Sequence, residues 1–296
     1  MTVFYCARNI TLKRNLCILC NMPKLNPRTV ILKLMLASER DELVAREAVS
    51  ACALLGIREN STRVALVRLA SAQLIEAAGR GAYRLGPQAT GLAAEITAWR
   101  NAEDRVRQWD GAWMAVHTGA LKRADRVALR ARERALELLG LRELERGLHV
   151  RPDNLTGSVV ALRERLRKLD PDLAAPVFVA RDLDPEREQR ARKLWNGKAL
   201  TKGYRETRRK LEEWLARADQ LEPEVAARES YLVGDKAIRQ LVFDPLLPAP
   251  LVDADERRAF REAVLRFDRV GHAIWRQLAV SQRSLHDSAQ SAEARH

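Results

Sequence analysis

Within its first ninety residues the chain sets three stretches of helical apolar spacing in a row, then two short β-type runs closed on a glycine turn. Few folds accommodate that order. Over residues 27–36, Val30, Ile31, Leu34 and Met35 recur at helical spacing, with Asn26 placed to cap the first turn and Pro27 at its first position. A charged turn over 38–42 leads into a second helix from Leu43 to Leu55, whose Val44, Ala48, Ala51, Cys52 and Leu55 share one face until Gly56 stops it. Ser61 is positioned to cap a third helix reaching about Ala72, with Ala65, Leu66 and Leu69 inward and Thr62, Arg63 and Arg68 outward. The runs 74–77 and 82–85 flank Ala78-Gly79-Arg80-Gly81, which predicts a hairpin with an arginine at its tip.

Helix, helix, helix, hairpin is the order of a winged helix-turn-helix, here over residues 26–91. In that arrangement the third helix enters the major groove, and the hairpin lies along a minor groove or backbone. The residues expected to face a duplex are Ser61, Thr62, Arg63, Val67, Arg68, Arg80 and Arg84. Residues 1–91 carry 13 Lys and Arg against 6 Asp and Glu, so more than half of the chain's net +13 lies in less than a third of its length. A helical triplet with a hairpin also serves as a protein-docking module, and scattered arginines are often only a solvated face. The basic excess and the hairpin arginine together favour double-stranded DNA.

At 296 residues the chain is long for one domain. A polar helix over 92–108 is expected to link the first unit to a second over 109–182, beginning at Trp109-Asp110-Gly111-Ala112-Trp113. There a strand (113–118), a helix (126–139), a strand pair (143–151), a helix (158–169) and a strand (176–180) give the order βαββαβ of a ferredoxin-like sandwich. Residues 183–280 are helical by pattern, with segments at 185–194, 203–221, 224–241 and 255–278. Between the last two, the prolines of FDPLLPAPLVD forbid a helix and set an extended corner anchored by Phe243, Leu246 and Leu247. An apolar face such as Leu211, Trp214 and Leu215 is available to pair chains. Residues 1–25 are expected to be a poorly ordered leader, with 1–21 an extension upstream of a start at Met22, and residues 281–296 a disordered tail. The fold class is α+β.

Other chemistries find less support. No apolar run approaches the 18 residues or so of a spanning helix, and Arg8, Lys13 and Arg14 interrupt any export signal, so a cytoplasmic protein without membrane contact is expected. Cys17 and Cys20 have knuckle spacing, but no second ligand pair follows nearby. The five histidines are far apart in sequence, and Gly79-Arg80-Gly81 lacks the lysine of a phosphate-binding loop. Neither a cofactor nor a metal is expected, and no catalytic role is assigned. A metal-dependent nuclease built on the middle domain is the rival, although Asp110, before the first strand, and Asp125, after the following loop, are not clearly placed for a metal, and a protein scaffold is the third alternative. Trp109 and Trp113 are expected to be core anchors rather than a stacking site.

From about Asn26 to Leu278 the chain resembles the PaaX-type regulators of phenylacetate catabolism. The resemblance is carried by NPRTVILKLM, LLGIRENSTRVALVRLASAQLI followed by GRGAYRLGP, WDGAWMAV, FDPLLPAPLV and a closing helix ending AIWRQL. Each stretch is weakly specific, and their order is the signal. The resemblance implies a bacterial repressor that binds a partly palindromic operator as a homodimer. It also implies release by an aryl-acyl-coenzyme A thioester such as phenylacetyl-coenzyme A. Arg63 and Arg68 match the family's arginine positions. Val64 and Val67 stand where the family usually has small hydroxyl residues, and Gln73-Leu74 where it has a Gly-Trp pair, so a shifted operator preference is expected.

Overall fold

The computed structural model of the chain describes residues 25–37, 42–89, 93, 97–120, 125–170 and 174–293. The start at Met22, the Cys17 and Cys20 pair and nearly all of the charged turn lie outside the described residues. The architecture combines helices with two small antiparallel sheets.

Three helices open it: α1 (Pro27–Ala37), α2 (Ala45–Leu54) and α3 (Glu59–Ser71). Asn26 caps α1, its side-chain oxygen accepting from the Arg28 amide at 2.9 Å. Ile31, Cys52, Leu66 and Leu69 meet in one buried cluster. Two boundaries depart from expectation. Leu43 and Val44 form a strand, β1, and not the first turn of the second helix; they pair antiparallel with Tyr83 and Ala82. Their partner belongs to the hairpin of β2 (Ile75–Gly79) and β3 (Ala82–Leu85), whose outer edge offers backbone groups that a further helical turn would leave unpaired. The third helix begins at Glu59 after Arg58, which has no side-chain cap bond, so Ser61 lies within the first turn and is not the cap.

The linker helix expected over 92–108 does not run to its end: Ala93 and Thr97 are helical, and two 3₁₀ turns, Ala98–Asn101 and Glu103–Arg105, then replace it, with Val106 bridging to Leu155. The tighter path buries Trp99 and brings Glu103 against Arg257.

The next unit runs β4 (Trp113–His117), α4 (Arg126–Leu138), β5 (Arg142–Glu145), β6 (Leu148–Pro152), α5 (Ser158–Leu169) and β7 (Val177–Ala180). Its sheet has the order β5-β6-β4-β7, antiparallel throughout. Successive side chains of a strand point to opposite faces, and β4 is buried on both. Met114 and Val116 meet Leu136, Leu162 and Leu166 of α4 and α5. Trp113 and Ala115 face the C-terminal helices, where the Trp113 ring stacks on Trp195 at 6.3 Å and takes the Trp109 edge at 5.2 Å.

The remainder is α6 (Pro185–Arg192), α7 (Gly197–Leu215), a 3₁₀ turn (Ala218–Gln220), α8 (Pro223–Val242) and α9 (Ala254–Glu293). Leu211 and Trp214 are 0% and 2% exposed, with the Trp214 ring 4.6 Å from Phe267, so the face expected to pair two chains is consumed inside one. The tail expected to be disordered continues α9 to Glu293; no glycine or proline interrupts it, and Ala, Gln and Glu favour the helix. The helix expected from Gly203 starts at Gly197 because Asn196 caps it, accepting from the Ala199 amide at 2.9 Å. A Cβ at Gly197 would run into the Leu251 carbonyl oxygen, which is backbone and cannot swing away. Gly197→Ala is expected to cost about 1–3 kcal/mol, read as a lowered urea midpoint with unchanged slope.

The proline corner ties these parts together. Leu246 and Leu247 are buried, and the corner's carbonyls, which no helix can satisfy, take side-chain donors instead. Arg151 of β6 donates to Pro245 at 3.2 Å and to Leu139 at 2.6 Å, and Asn154 donates to Leu246 at 2.7 Å. Burial, reinforced by the Arg165 and Arg105 charges, pushes the Arg151 guanidinium down to about 9. Asp244 accepts from the Leu246 amide at 2.7 Å, and burial holds its carboxyl above the usual range despite the Tyr204 hydroxyl and the Arg257 charge beside it.

Candidate nucleic-acid interface

Helix α3 buries Thr62, Ala65, Leu66 and Leu69 and leaves the opposite face open. Val64 and Val67 are 41% and 64% exposed there, and Ser61, Arg63 and Arg68 are exposed with them. Exposed methyl groups beside arginines are the chemistry that reads thymine methyls and guanine edges in a major groove.

Thr62 corrects the sequence reading. It is fully buried, its hydroxyl donating to the Arg58 carbonyl at 3.4 Å and bonding with the Cys52 side chain. The reason is helical arithmetic: position 62 lies three and four residues before Ala65 and Leu66, on their face. Burial raises the Cys52 thiol, and the Thr62 bond partly offsets that.

The four arginines divide into two kinds. Arg63 pairs with Glu59 at 2.7 Å, and Arg84 with its cross-strand neighbour Glu76 at 2.6 Å. Arg68 and Arg80 have no carboxylate partner among the described residues. Arg80 is exposed at the hairpin tip, next to Gly81, whose φ of +73° makes the tight turn.

A further cation was missed. Arg28, in the first turn of α1, is half-buried, and its guanidinium is lowered first by burial and then by the charge of Arg68. Its Nε is buried without a hydrogen-bond partner. The available signal was a cation placed at the positive end of a helix, where an acid is favoured. Two arginines close enough to repel, one at a helix N-terminus, form a place that an anion would relieve.

The two aspartates weighed for the nuclease alternative have structural tasks. Asp110 pairs with Arg181 at 2.6 Å, a bond that holds its carboxyl below the ordinary range, and Asp125 accepts from the Ala128 amide at the start of α4. Among the described residues no group of three or more His, Cys, Asp or Glu could hold a metal ion. No helix is long and apolar enough to cross a membrane among those residues.

Comparisons with known proteins bear on the whole chain. Residues 195–277 match the family model described as PaaX-like protein C-terminal domain. No curated protein matches the chain. Among solved structures, an uncharacterized protein from Mycobacterium tuberculosis, Rv0674, has a similar fold, with a TM-score of 0.58 and 24% identity over 86% of this chain and 99% of its own. The matched segment spans α7, α8, the proline corner and most of α9, and of these the corner and the closing helix were quoted above as carriers of the resemblance. Over residues 195–277 the chain is thus similar to the C-terminal domain of PaaX-like proteins.

Proposed function

We propose that the protein is a transcriptional regulator that binds double-stranded DNA through a winged helix-turn-helix at residues 26–91. A ferredoxin-like unit at 109–182 and helices at 183–280 hold two such modules in a homodimer. A regulator role is what PaaX-like proteins generally have. The observation that carries the reading is the open face of α3, with Val64, Val67 and Arg68 exposed, flanked by the exposed hairpin Arg80 and by Arg28. Repression of a catabolic operon, release by an aryl-acyl-coenzyme A and a cytoplasmic location follow from the family resemblance and complete the proposal. Leu211 and Trp214 are unavailable for pairing, so the homodimer must use another surface.

The test is fluorescence anisotropy of the full chain on duplexes selected from its own upstream DNA. Arg68→Ala or Arg80→Ala is expected to weaken binding by about 1–3 kcal/mol if the lost contact is bidentate to guanine, and less if it is to phosphate. Arg63→Ala should cost less than Arg68→Ala, because Arg63 already holds Glu59. Unchanged affinity in both Arg63 and Arg68 variants would remove α3 as the recognition helix.

A further inference from the structure

A cavity of about 420 Å³ opens where the N-terminal helices meet the C-terminal ones. Leu34 of α1, Leu43 of β1 and Leu54 of α2 line one side, and Ile238 of α8 with Phe267 and Trp275 of α9 the other. That size suits a drug-sized ligand, and apolar walls of this kind draw affinity from removing ligand surface from water. Several of its polar groups are already matched. Lys33 pairs with Asp235, Arg100 and His272 meet Asp268 at 3.0 and 3.4 Å, and the Trp275 indole donates to Ser230 at 3.2 Å. Arg239 differs: its guanidinium lies 5.3 Å over the Phe243 ring and holds no carboxylate among the described residues.

We propose that this cavity binds a compact molecule with an apolar body and one anionic head, and that its occupancy alters duplex binding. The apolar walls take the body, and Arg239 at the rim takes the head through a charge-assisted bond. The second half rests on the duplex reading above. Its physical basis is position. Leu34, Leu43 and Leu54 belong to the elements that carry α3, whereas Ile238, Phe267 and Trp275 belong to the C-terminal helices. An occupant touching both sides favours whichever spacing of the two units it fits, and α3 moves with its scaffold. The effector site would then lie between the first and last units of the chain.

The full chain is titrated with anilinonaphthalene sulfonate, an aryl body with a single anion. The probe is then displaced by medium-chain fatty acids, by arylalkanoic acids and, as a separate arm, by their coenzyme A thioesters. Saturable binding is expected, lost in Leu54→Trp, which fills a half-exposed part of the wall, and weakened about tenfold in Arg239→Ala with partial recovery in Arg239→Lys. Displacement by free acids makes the ligand a simple carboxylate, whereas displacement by thioesters alone overturns the compact, single-headed ligand. Unchanged probe binding in both folded variants would overturn the site. The strongest competitor at saturation should shift duplex affinity at least about fivefold in the wild type and not in Leu54→Trp. An unmoved duplex affinity overturns the coupling. If the unliganded chain binds no duplex at any salt, the duplex reading falls and the coupling with it, while variant-sensitive probe binding still assigns the cavity.

Discussion

Arg257→Ala is expected to destabilise the fold by about 3–5 kcal/mol, as breaking a buried pair from one side generally does. The Arg257 side chain is 1% exposed, and its Nε and Nη2 donate to the two Glu103 carboxylate oxygens at 2.7 and 3.3 Å, while Nη1 donates to the Leu247 carbonyl. Burial works against the charge, yet Glu103, with Asp244 and Tyr204 behind it, more than offsets that and holds the guanidinium above its ordinary value. Removing Arg257 therefore strands more than one group: Glu103 is only 12% exposed, Asp244 is buried and the Leu247 carbonyl loses its donor. The three partners lie in the 3₁₀ turn, the proline corner and α9, so the loss should loosen the joint between all parts of the chain. Urea unfolding checks the size of the effect. A double variant, Arg257→Met with Glu103→Leu, is expected to recover much of the loss, because a buried ion pair and a well-packed apolar pair are often close in energy. Equal destabilisation in the single and double variants would mean that packing, and not the stranded charge, sets the cost.

Raising salt from about 50 to 200 mM is expected to weaken duplex binding by roughly 10³- to 10⁵-fold, the loss that accompanies six to ten phosphate contacts over two half-sites. Arg58, Arg63, Arg68, Arg80 and Arg84 are exposed on α3, its N-terminal flank and the hairpin, and Arg28 adds a half-buried cation to each chain. They do not contribute equally. Arg63 and Arg84 already neutralise Glu59 and Glu76, so a phosphate must compete with a carboxylate for them, and fewer counterions are released. Glu59→Gln and Glu76→Gln should accordingly tighten binding and steepen the salt slope. Stability should barely change, since exposed pairs of this kind are worth about 0–1 kcal/mol. The measurement is the slope of log affinity against log salt for the wild type and the two variants. A flat slope would point to a protein-binding scaffold, for which counterion release has no role.

Much of the fold was legible in the chain because the signals are local. The limits of α4 and α5 follow from apolar periodicity, with Asp125 and Asp170-Pro171 as punctuation, and the hairpin follows from Gly79-Arg80-Gly81. Errors gathered where a local signal had two readings. Gly203 looked like a helix start and is a helix interior, while Asn196, a good cap, lay unremarked just upstream. Ser61 looked like a cap although Glu59 and Asn60 could already be helical. On the interface, the exposed arginines were legible and Thr62 was not, although its spacing from Ala65 and Leu66 contained the answer.

The sequence by itself determined most of the helices and strands and their order, the basic charge of the first unit and the break at the proline corner. Periodicity, capping and proline geometry act within a few residues and need no distant partner. Only the tertiary structure decided that Leu43 and Val44 would join the hairpin as a third strand, that Leu211 and Trp214 would be spent inside one chain, and that Arg28 would stand against Arg68. It also decided that Glu103 would meet Arg257 across 154 residues of chain and that a cavity would open between the first and last units. The physical reason is common to all of these. A buried side chain or open strand edge takes whichever complementary group the packed fold brings near, and sequence separation leaves no mark on either partner.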